Sequence, residues 1–331
     1  LTHGDYIARW FEDRDLEAYV TGMRKNLFYS YDERRFRWKF RENPSRLGFV
    51  SVVVVEDTNT GRPVGFNGFL PLKLRIRDER FLAAQGVDGF IEPSHRGHGL
   101  FTLTIEFMVQ QLSEAGPELL IGFNVPQATT AAVRAGSVKV GGMHRWTLER
   151  KPRDRAGEAT RVKVVQGNIT EINRVYEEWA KTVDCIHTSR DPAYLDWRVA
   201  RDPMSSHECY LIRTRGENRG YIIVSKTERN GQVELTLDDY VVLGNDYRIL
   251  AEAVDELSAS QRPNTIEIRT LPNAPFESAL ADLGFLKESE PLYSLILKDL
   301  SKPIARDGRL IRDEIDLAQL SSWYLTYLDV L

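Results

Sequence analysis

Short apolar runs separated by turn residues fill much of the first third of the chain. Residues 50–55 form a continuous β-branched run, and residues 63–70 form a second extended stretch beyond a turn that contains Gly61. This pattern predicts a hairpin. Residues 72–76 alternate between aliphatic and basic side chains, which predicts a half-buried third strand. Residues 81–91 follow as a fourth strand, so the pattern as a whole predicts a meander.

A different periodicity, typical of helices, lies on both sides of this meander. Residues 5–23 mix apolar and charged positions in a helical rhythm and predict one or two short helices. A longer helix is indicated by apolar residues at spacings of four and three, namely Phe101, Ile105, Met108, Leu112 and Ala115. Gly116 and the proline after it then end the pattern. Residues 119–123, 128–135 and 138–148 predict a strand, a helix and a final strand.

Residues 34–44 are dense in arginine and aromatic side chains. One interpretation is that the arginines contact an anion. The other is that Phe36, Trp38 and Phe40 anchor the segment in the core while the charged side chains face solvent. We favour the second interpretation, because charged side chains usually remain at the surface.

The loop between the fourth strand and the long helix carries candidate chemistry. Gly97 and Gly99 flank His98, and Arg96 precedes them. At such a strand-to-helix turn, backbone N–H groups converge, the helix dipole adds positive charge, and glycine lets an anion approach the backbone. These features predict a phosphate-binding loop. The sequence has neither the dinucleotide-binding pattern G-x-G-x-x-G nor the P-loop pattern here.

This loop resembles the pyrophosphate loop of the GNAT acyl-CoA acyltransferases, whose pattern is Arg or Gln, two residues, Gly, one residue, then Gly or Ala. Arg96 and Gly99 fit that pattern. Phe101 stands at the last position of the pattern, where Gly or Ala is usual. This departure is similar to that of a subgroup of bacterial two-domain acyltransferases tied to surface-sugar pathways. The order of elements over residues 1–150 resembles the GNAT fold throughout. The resemblance implies a mixed α/β (α+β) sheet and a bound acyl-CoA, with acetyl-CoA as the default donor.

The resemblance also implies roles for individual residues. In that family the backbone of the strand before the loop pairs with the pantetheine arm, and here those positions are Phe90 and Ile91. Asn124 stands where the family often places a residue near the acyl group. The CoA-binding loop is implied to comprise Arg96, Gly97, His98, Gly99, Leu100, Phe101 and Thr102. A tyrosine that commonly protonates the leaving thiolate is replaced here by Ala132, so the usual general acid is missing.

Two carboxylates precede the loop and are candidates for the catalytic base. Asp88 and Glu92 lie four residues apart, and alternation along a strand places both on one face. Asp88 is preferred, because Glu92 adjoins Pro93 at the entrance of the loop. His95 and His98 have a suitable ordinary pKa, but on a phosphate loop they are expected to contact phosphate or solvent.

The second half of the chain repeats features of the first. Trp38 stands six residues before Pro44, just as Trp197 stands six residues before Pro203. The repeat predicts two tandem GNAT-like domains. The expected organisation is a CoA-binding GNAT domain over 1–150, a linker over 151–160, a GNAT-like domain over 161–300 and a C-terminal tail over 301–331 that packs back on the core.

One part of the repeat is missing from the second half. The strand-to-helix turn there carries a single glycine, Gly244, and an acidic residue, Asp246. An acidic residue at a helix N-terminus caps the helix but repels phosphate. The second domain is therefore expected to lack the pyrophosphate loop and to contribute to an acceptor pocket at the domain junction.

Composition narrows the class of protein further. The chain has 331 residues, of which 42% are hydrophobic and 28% are charged, and a formal net charge of −4. These values do not favour a nucleic-acid partner, and no apolar run is long enough for a membrane span. Cys185 and Cys209 form neither a disulfide framework nor a metal cluster, so no metal is expected. The N-terminus has no signal-peptide pattern, and we expect a cytoplasmic protein.

The resemblance thus implies an N-acyltransferase, most simply an N-acetyltransferase, that uses an acyl-CoA. Its expected partner is a small-molecule amine, which the resemblance suggests is an amino sugar linked to a nucleotide. Two alternatives remain open. One is a tandem-domain aminoacyl transferase that uses charged tRNA, although such an enzyme would not need the pyrophosphate loop. The other is a degenerate protein that binds CoA or another ligand without catalysis, which the absent tyrosine favours.

Overall fold

A computed structural model describes residues 1–28, 30–112, 114–149, 161–300 and 310–331. Two compact units share the chain. The first contains residues 1–74, 80–141 and 293–319, and the second contains residues 75–79, 142–292 and 320–331. Each unit is therefore assembled from separate segments, whereas the sequence predicted contiguous domains. The predicted linker, 151–160, lies outside the described residues.

The elements of the first half follow one another in the predicted manner with two differences. They are β1 (Thr2–His3), β2 (Tyr6–Trp10), α1 (Leu16–Asn26), α2 (Glu33–Phe40), β3 (Val52–Asp57), β4 (Arg62–Ile76), β5 (Glu79–Ile91), α3 (Leu100–Leu112), β6 (Leu119–Asn124), α4 (Pro126–Arg134) and β7 (Val138–Glu149). The predicted long helix and the strand before it are confirmed as α3 and β5.

The two differences arise from strand pairing. Residues 5–23 were expected to be helical, but β2 pairs antiparallel with β3, so only the second part of the segment forms the helix α1. The two strands expected over 63–70 and 72–76 are one strand, β4. Pro71 lies inside β4, and its carbonyl oxygen accepts a hydrogen bond at 2.9 Å from Nδ2 of Asn43. Partners in the sheet, which the local pattern does not reveal, decided both cases.

The elements of the second half follow a similar order. They are β8 (Val162–Gln166), α5 (Ile169–Ala180), β9 (His187–Thr188), α6 (Pro192–Leu195) leading into a π-helical turn, β10 (His207–Thr214), β11 (Glu217–Arg229), β12 (Gln232–Val242), α7 (Tyr247–Gln261), β13 (Thr265–Thr270), α8 (Ala274–Asp282), β14 (Leu286–Lys287), β15 (Tyr293–Asp299), β16 (Ile311–Arg312) and β17 (Ile315–Asp316).

The sheet of the first unit runs in the order β1-β2-β3-β4-β5-β6-β15. The β5–β6 pair is parallel, and β6 pairs antiparallel with β15, which comes from the far end of the chain. A core of buried aliphatic residues joins this sheet to α3 and α4 and includes Val53, Val55, Leu103, Met108 and Leu112. The first unit thus requires a C-terminal strand to complete its sheet.

The sheet of the second unit has a matching order. The strands β8, β10, β11 and β12 pair antiparallel in succession, β12 pairs parallel with β13, and β13 pairs antiparallel with residues 144–149 of β7. In each unit, therefore, the strand beside the parallel pair is contributed by the other half of the chain. The predicted repeat is visible as this shared strand order.

Candidate functional site

The parallel strands β5 and β6 separate before the predicted loop is reached. They pair only from Ala83 to Gly86 on β5 and from Leu119 to Gly122 on β6, yet β5 continues to Ile91. Beyond Gly86, the β5 edge that faced β6 no longer has that strand as a hydrogen-bonding partner. A separation of this kind exposes backbone N–H and C=O groups to a ligand that lies between the strands.

The predicted phosphate loop lies at the open end of this separation and leads into α3. Gly97 and Gly99 have φ of +87° and +73°, a backbone conformation that glycine adopts without strain. The carbonyl of Gly99 accepts the first helical hydrogen bond, from the N–H of Leu103 at 3.0 Å. The N–H groups of residues 100–102 therefore lack acceptors within the helix, and the loop residues before them are exposed.

Arg96 and Phe101 stabilise the loop from both sides. Nε of Arg96 donates to the carbonyl oxygen of Ile91 at 2.9 Å, and this hydrogen bond ties the loop to the end of β5. The ring of Phe101 packs so closely on Gly89 that a Cβ there would lie 2.7 Å from the ring. The large residue at position 101 thus packs inward, and its backbone remains part of the first turn of α3.

The N-terminal strands bring further polar side chains to the loop. The hydroxyl of Tyr6 and Nδ1 of His95 form a hydrogen bond of 3.0 Å, and the rings of Tyr6 and His98 lie 5.9 Å apart. Nε2 of His3 would be 3.9 Å from a Cβ on Gly99. The sequence did not associate His3 and Tyr6 with the loop, because only sheet pairing places them there.

Asp88 lies where β5 leaves β6, and its carboxylate is buried in an ion pair that the sequence did not predict. Nζ of Lys39 is 2.8 Å from Oδ1 and 2.9 Å from Oδ2 of Asp88, and the two side chains are 1% and 2% exposed. The hydroxyl of Tyr31 donates to Oδ2 at 3.1 Å, and that of Tyr19 lies at 3.4 Å. Burial chiefly, and also the charge of Asp88, raise the pKa of Tyr19 and of Tyr31 well above the ordinary value.

The residues around Lys39 show why the sequence concealed this contact. Phe36, Trp38 and Phe40 are buried as expected, but Lys39 is buried with them. The spacing from Phe36 to Lys39 to Phe40 follows the i, i+3, i+4 pattern of one helical face, which was a signal that this lysine faces inward. Arg37 and Arg41 form ion pairs with Glu33 and Asp13 at 2.7 and 2.6 Å.

The remaining predicted residues lie around the strand separation. Oε2 of Glu92 is 3.2 Å from Nζ of Lys25 on α1, and the Glu92 side chain is 27% exposed. The side-chain oxygen of Asn124 lies over Gly122, where an added Cβ would be only 2.6 Å away. Phe90 and Ile91 have buried side chains, and Ala132 is buried in α4. Ala132 offers no side-chain proton donor, as the sequence predicted.

The corresponding turn of the second unit has a different chemistry. Gly244 has φ of +71°, but the carboxylate of Asp246 accepts from the N–H of Arg248 at 3.2 Å and so occupies the N-terminus of α7. A carboxylate at this point competes with any phosphate for the same N–H groups. The two units thus share a strand order but differ in the glycines and charge of this turn.

The fold is similar to that of several solved structures. A GCN5-related N-acetyltransferase from Anabaena variabilis ATCC 29413 aligns with a TM-score of 0.68 and 15% identity, over 89% of this chain and 73% of that one. A GCN5-related N-acetyltransferase from Kribbella flavida aligns with a TM-score of 0.62 and 13% identity, over 90% and 71%. A conserved protein of unknown function from Enterococcus faecalis V583, described as a probable N-acyltransferase, aligns with a TM-score of 0.64 and 11% identity, over 89% and 73%.

These alignments confirm the predicted fold class. The chain has the mixed α/β fold of the GCN5-related N-acetyltransferases, abbreviated GNAT, and at identities of 11–15% the likeness establishes the fold alone. No family model and no curated protein matches the sequence.

Two further observations bear on the predicted partners. Among the described residues, no group of three or more His, Cys, Asp or Glu side chains is placed to hold a metal ion. None of the helices in the described parts of the chain is long and apolar enough to cross a membrane.

Proposed function

We propose that this protein is an acyl-CoA-dependent N-acyltransferase whose donor binds the first unit. The observation that carries this proposal is the separation of β5 from β6 after Gly86, directly before a glycine loop at the N-terminus of α3. The separation can take an extended arm with amide groups, and the loop can take a pyrophosphate. Both features of the CoA molecule are thereby matched by adjoining parts of one unit.

The loop residues from Arg96 to Thr102 bind the pyrophosphate in this proposal. The backbone of Phe90 and Ile91 pairs with the pantetheine arm, and Asn124 lies near the acyl group. Arg96 contributes charge beside the loop while its Nε remains bound to the Ile91 carbonyl. Acetyl-CoA is the default donor in this proposal. The pantetheine arm and the pyrophosphate are common to every acyl-CoA, so they do not select the acyl group.

The reaction requires an amine that has lost its proton. The amine nitrogen attacks the thioester carbonyl, the carbon–sulfur bond breaks, and the amine proton passes to a base while the CoA thiolate takes up a proton. Asp88 and Glu92 are the proposed bases. We now prefer Glu92, because the Asp88 side chain is 2% exposed and held by Lys39, whereas the Glu92 side chain is 27% exposed and can be reached by an acceptor. With Ala132 in place of a tyrosine, water protonates the thiolate.

The proposed acceptor is a small amine, in particular an amino sugar that carries a nucleotide, in a cytoplasmic setting without a nucleic-acid or membrane partner. The test has two stages. Calorimetry with CoA measures donor binding, and release of free thiol from acetyl-CoA is then screened over amino sugars with and without a nucleotide. Absence of CoA binding would remove the proposal, and the screen identifies the acceptor class.

A second candidate function is a protein that binds CoA without catalysis. Ala132 favours it, because the structure places no hydroxyl at that point of α4. The two candidates differ in one outcome: CoA binding with no thiol release over the whole amine panel supports the degenerate protein. An aminoacyl transferase that uses charged tRNA would instead bind aminoacyl-tRNA and not CoA.

A further inference from the structure

The second unit contains an aromatic cavity that the proposed acyl transfer does not use. Its volume is about 280 Å³, and five aromatic side chains line it, namely Tyr240, Tyr247, Phe276, Trp323 and Tyr324. We call these five residues the aromatic cage. None of the described residues that line the cavity is charged.

The cavity lies where β12 and β13 separate. These parallel strands pair only from Glu234 to Leu237 on β12 and from Thr265 to Ile268 on β13, and Tyr240 and Thr270 lie beyond the last pair. The C-terminal segment reaches this point, since Thr270 and Thr326 form an antiparallel bridge. A strand separation thus exists in this unit too, but aromatic residues and the C-terminal segment border it.

The polar groups at the cavity already have partners, which argues against an anionic ligand. Oδ1 of Asn273 accepts from the N–H of Phe276 at 3.3 Å at the start of α8, and Nδ2 donates to the hydroxyl of Tyr247 at 3.0 Å. The hydroxyl of Tyr240 donates to Oγ1 of Thr270 at 2.8 Å. The N–H of Phe276, which would face a phosphate at the start of α8, is therefore engaged within the protein.

A buried ion-pair cluster is connected to the lining of the cavity through Thr326, which bridges to Thr270. Arg190 pairs with Asp239 at 3.0 Å and with Asp329 at 2.7 Å, and all three side chains are at most 3% exposed. One cation and two carboxylates leave a formal charge of −1. Oγ1 of Thr326 donates to Asp239 at 2.7 Å, and the preceding residue, Leu325, lines the cavity.

Carboxylates of this cluster contribute to the raised pKa of two tyrosines of the cage. Burial raises the pKa of Tyr240 well above its ordinary value, and the charges of Asp239 and Asp329 raise it further. Burial likewise raises the pKa of Tyr324, with a contribution from Asp239. Aromatic faces attract a cation, and a cation held by rings needs few hydrogen bonds.

We propose that the aromatic cage binds a small organic cation of the quaternary or alkylated ammonium class. Choline-sized molecules have a compact, weakly hydrated positive charge, which suits a cavity of this size without charged lining residues. All residues of this site belong to the second unit, whereas the proposed acyl-CoA site lies in the first.

The experiment compares choline with its uncharged isostere, 3,3-dimethylbutan-1-ol, by calorimetry on the full chain. We expect choline to bind about tenfold or more tightly than the isostere, since a cation over desolvated rings gains this much. Equal binding of the two compounds would overturn the cationic assignment. Binding of neither would overturn the site.

Variants locate the binding. Phe276→Leu and Tyr247→Leu each remove a ring of the cage and should weaken choline binding about tenfold. Phe285→Leu is the matched control, because Phe285 belongs to the same buried core but does not line the cavity. Thermal unfolding verifies that each variant folds. If Phe276→Leu does not fold, Tyr247→Leu alone provides the test. Unchanged choline affinity in both cage variants, or an equal loss in the control, would place the binding elsewhere.

Discussion

Lys39 and Asp88 form a bidentate ion pair, with Nζ 2.8 and 2.9 Å from the two carboxylate oxygens, across a separation of 49 residues in the chain. The pair connects α2 to the part of β5 that no longer pairs with β6. Asp88 has φ of +52°, a left-handed conformation that Asp and Asn adopt more readily than other non-glycine residues. The ion pair therefore lies at the point where the strand leaves its neighbour.

Asp88→Asn is expected to destabilise the protein, because it leaves the ammonium of Lys39 buried without its carboxylate. The expected loss in the free energy of unfolding is about 3–5 kcal/mol, measured by urea denaturation. Asn retains the left-handed backbone, so backbone strain does not confuse the result. The double variant Lys39→Met, Asp88→Asn should recover part of the loss. If the single variant is as stable as the parent, the ion pair does not fix β5.

Glu92→Gln is expected to lower turnover at least about tenfold while CoA affinity stays unchanged, since the base acts on the acceptor and not on the donor. The measurement is the rate of thiol release from acetyl-CoA, with calorimetry for CoA. Unchanged turnover in Glu92→Gln, with reduced turnover in correctly folded Asp88→Asn, would assign the base to Asp88.

Gly99→Val is expected to weaken CoA binding about tenfold or more. A β-branched residue is strained at φ of +73°, and its side chain would stand where the phosphate approaches the backbone. Gly61→Val is the matched control, because Gly61 has φ of +66° and open space around it but lies in the turn between β3 and β4. Calorimetry of both variants distinguishes a loss of CoA binding at the loop from a general effect of backbone strain. Equal CoA affinity in the two variants would exclude the loop as the phosphate site.

The full chain is expected to bind one CoA molecule, in the first unit. The second unit has Asp246 at the N-terminus of α7 and the aromatic cage beside its own strand separation, and neither feature suits a pyrophosphate. Titration calorimetry gives the stoichiometry directly. A stoichiometry of two CoA molecules per chain would assign a CoA site to the second unit. CoA binding that survives in Gly99→Val at half the stoichiometry of the parent would do the same.

His207 should make the stability of the protein depend on pH. Burial opposes its charged form, but hydrogen bonds to Asp202 and Asp238 outweigh burial and raise the pKa of His207. The folded pKa thus exceeds the unfolded value of about 6.5. The charged ring stabilises the fold fully below that unfolded value, and this contribution is lost as pH rises through the folded pKa.

Urea titrations at a series of pH values measure this effect. The free energy of unfolding should fall as pH is raised above about 6.5 through the folded pKa of His207, and His207→Gln should flatten that decline. His98→Gln, a change at an exposed histidine, is the control and should keep the parent slope. An unchanged slope in His207→Gln would refute the assignment.

The sequence by itself determined the local elements and the loop. The apolar spacing of α3 and the glycines at positions 97 and 99 are local features, because periodicity and glycine conformations are set by residues close in sequence. That Ala132 replaces a tyrosine is implied only by the resemblance to the GNAT family. The similar strand order of the two units was likewise indicated by short matched spacings such as Trp38 to Pro44. The role of the loop and the base remains a prediction.

Only the tertiary structure decided which distant segments complete each unit. Residues 6–10 form a strand because β3 lies beside them, and β15 joins the first sheet from the far end of the chain. The partner of Asp88 and the aromatic cage were also hidden, because Lys39 and Trp323 reach these places through pairings that no local pattern specifies. Burial of a charge depends on a partner in space, and spacing along the chain does not reveal that partner.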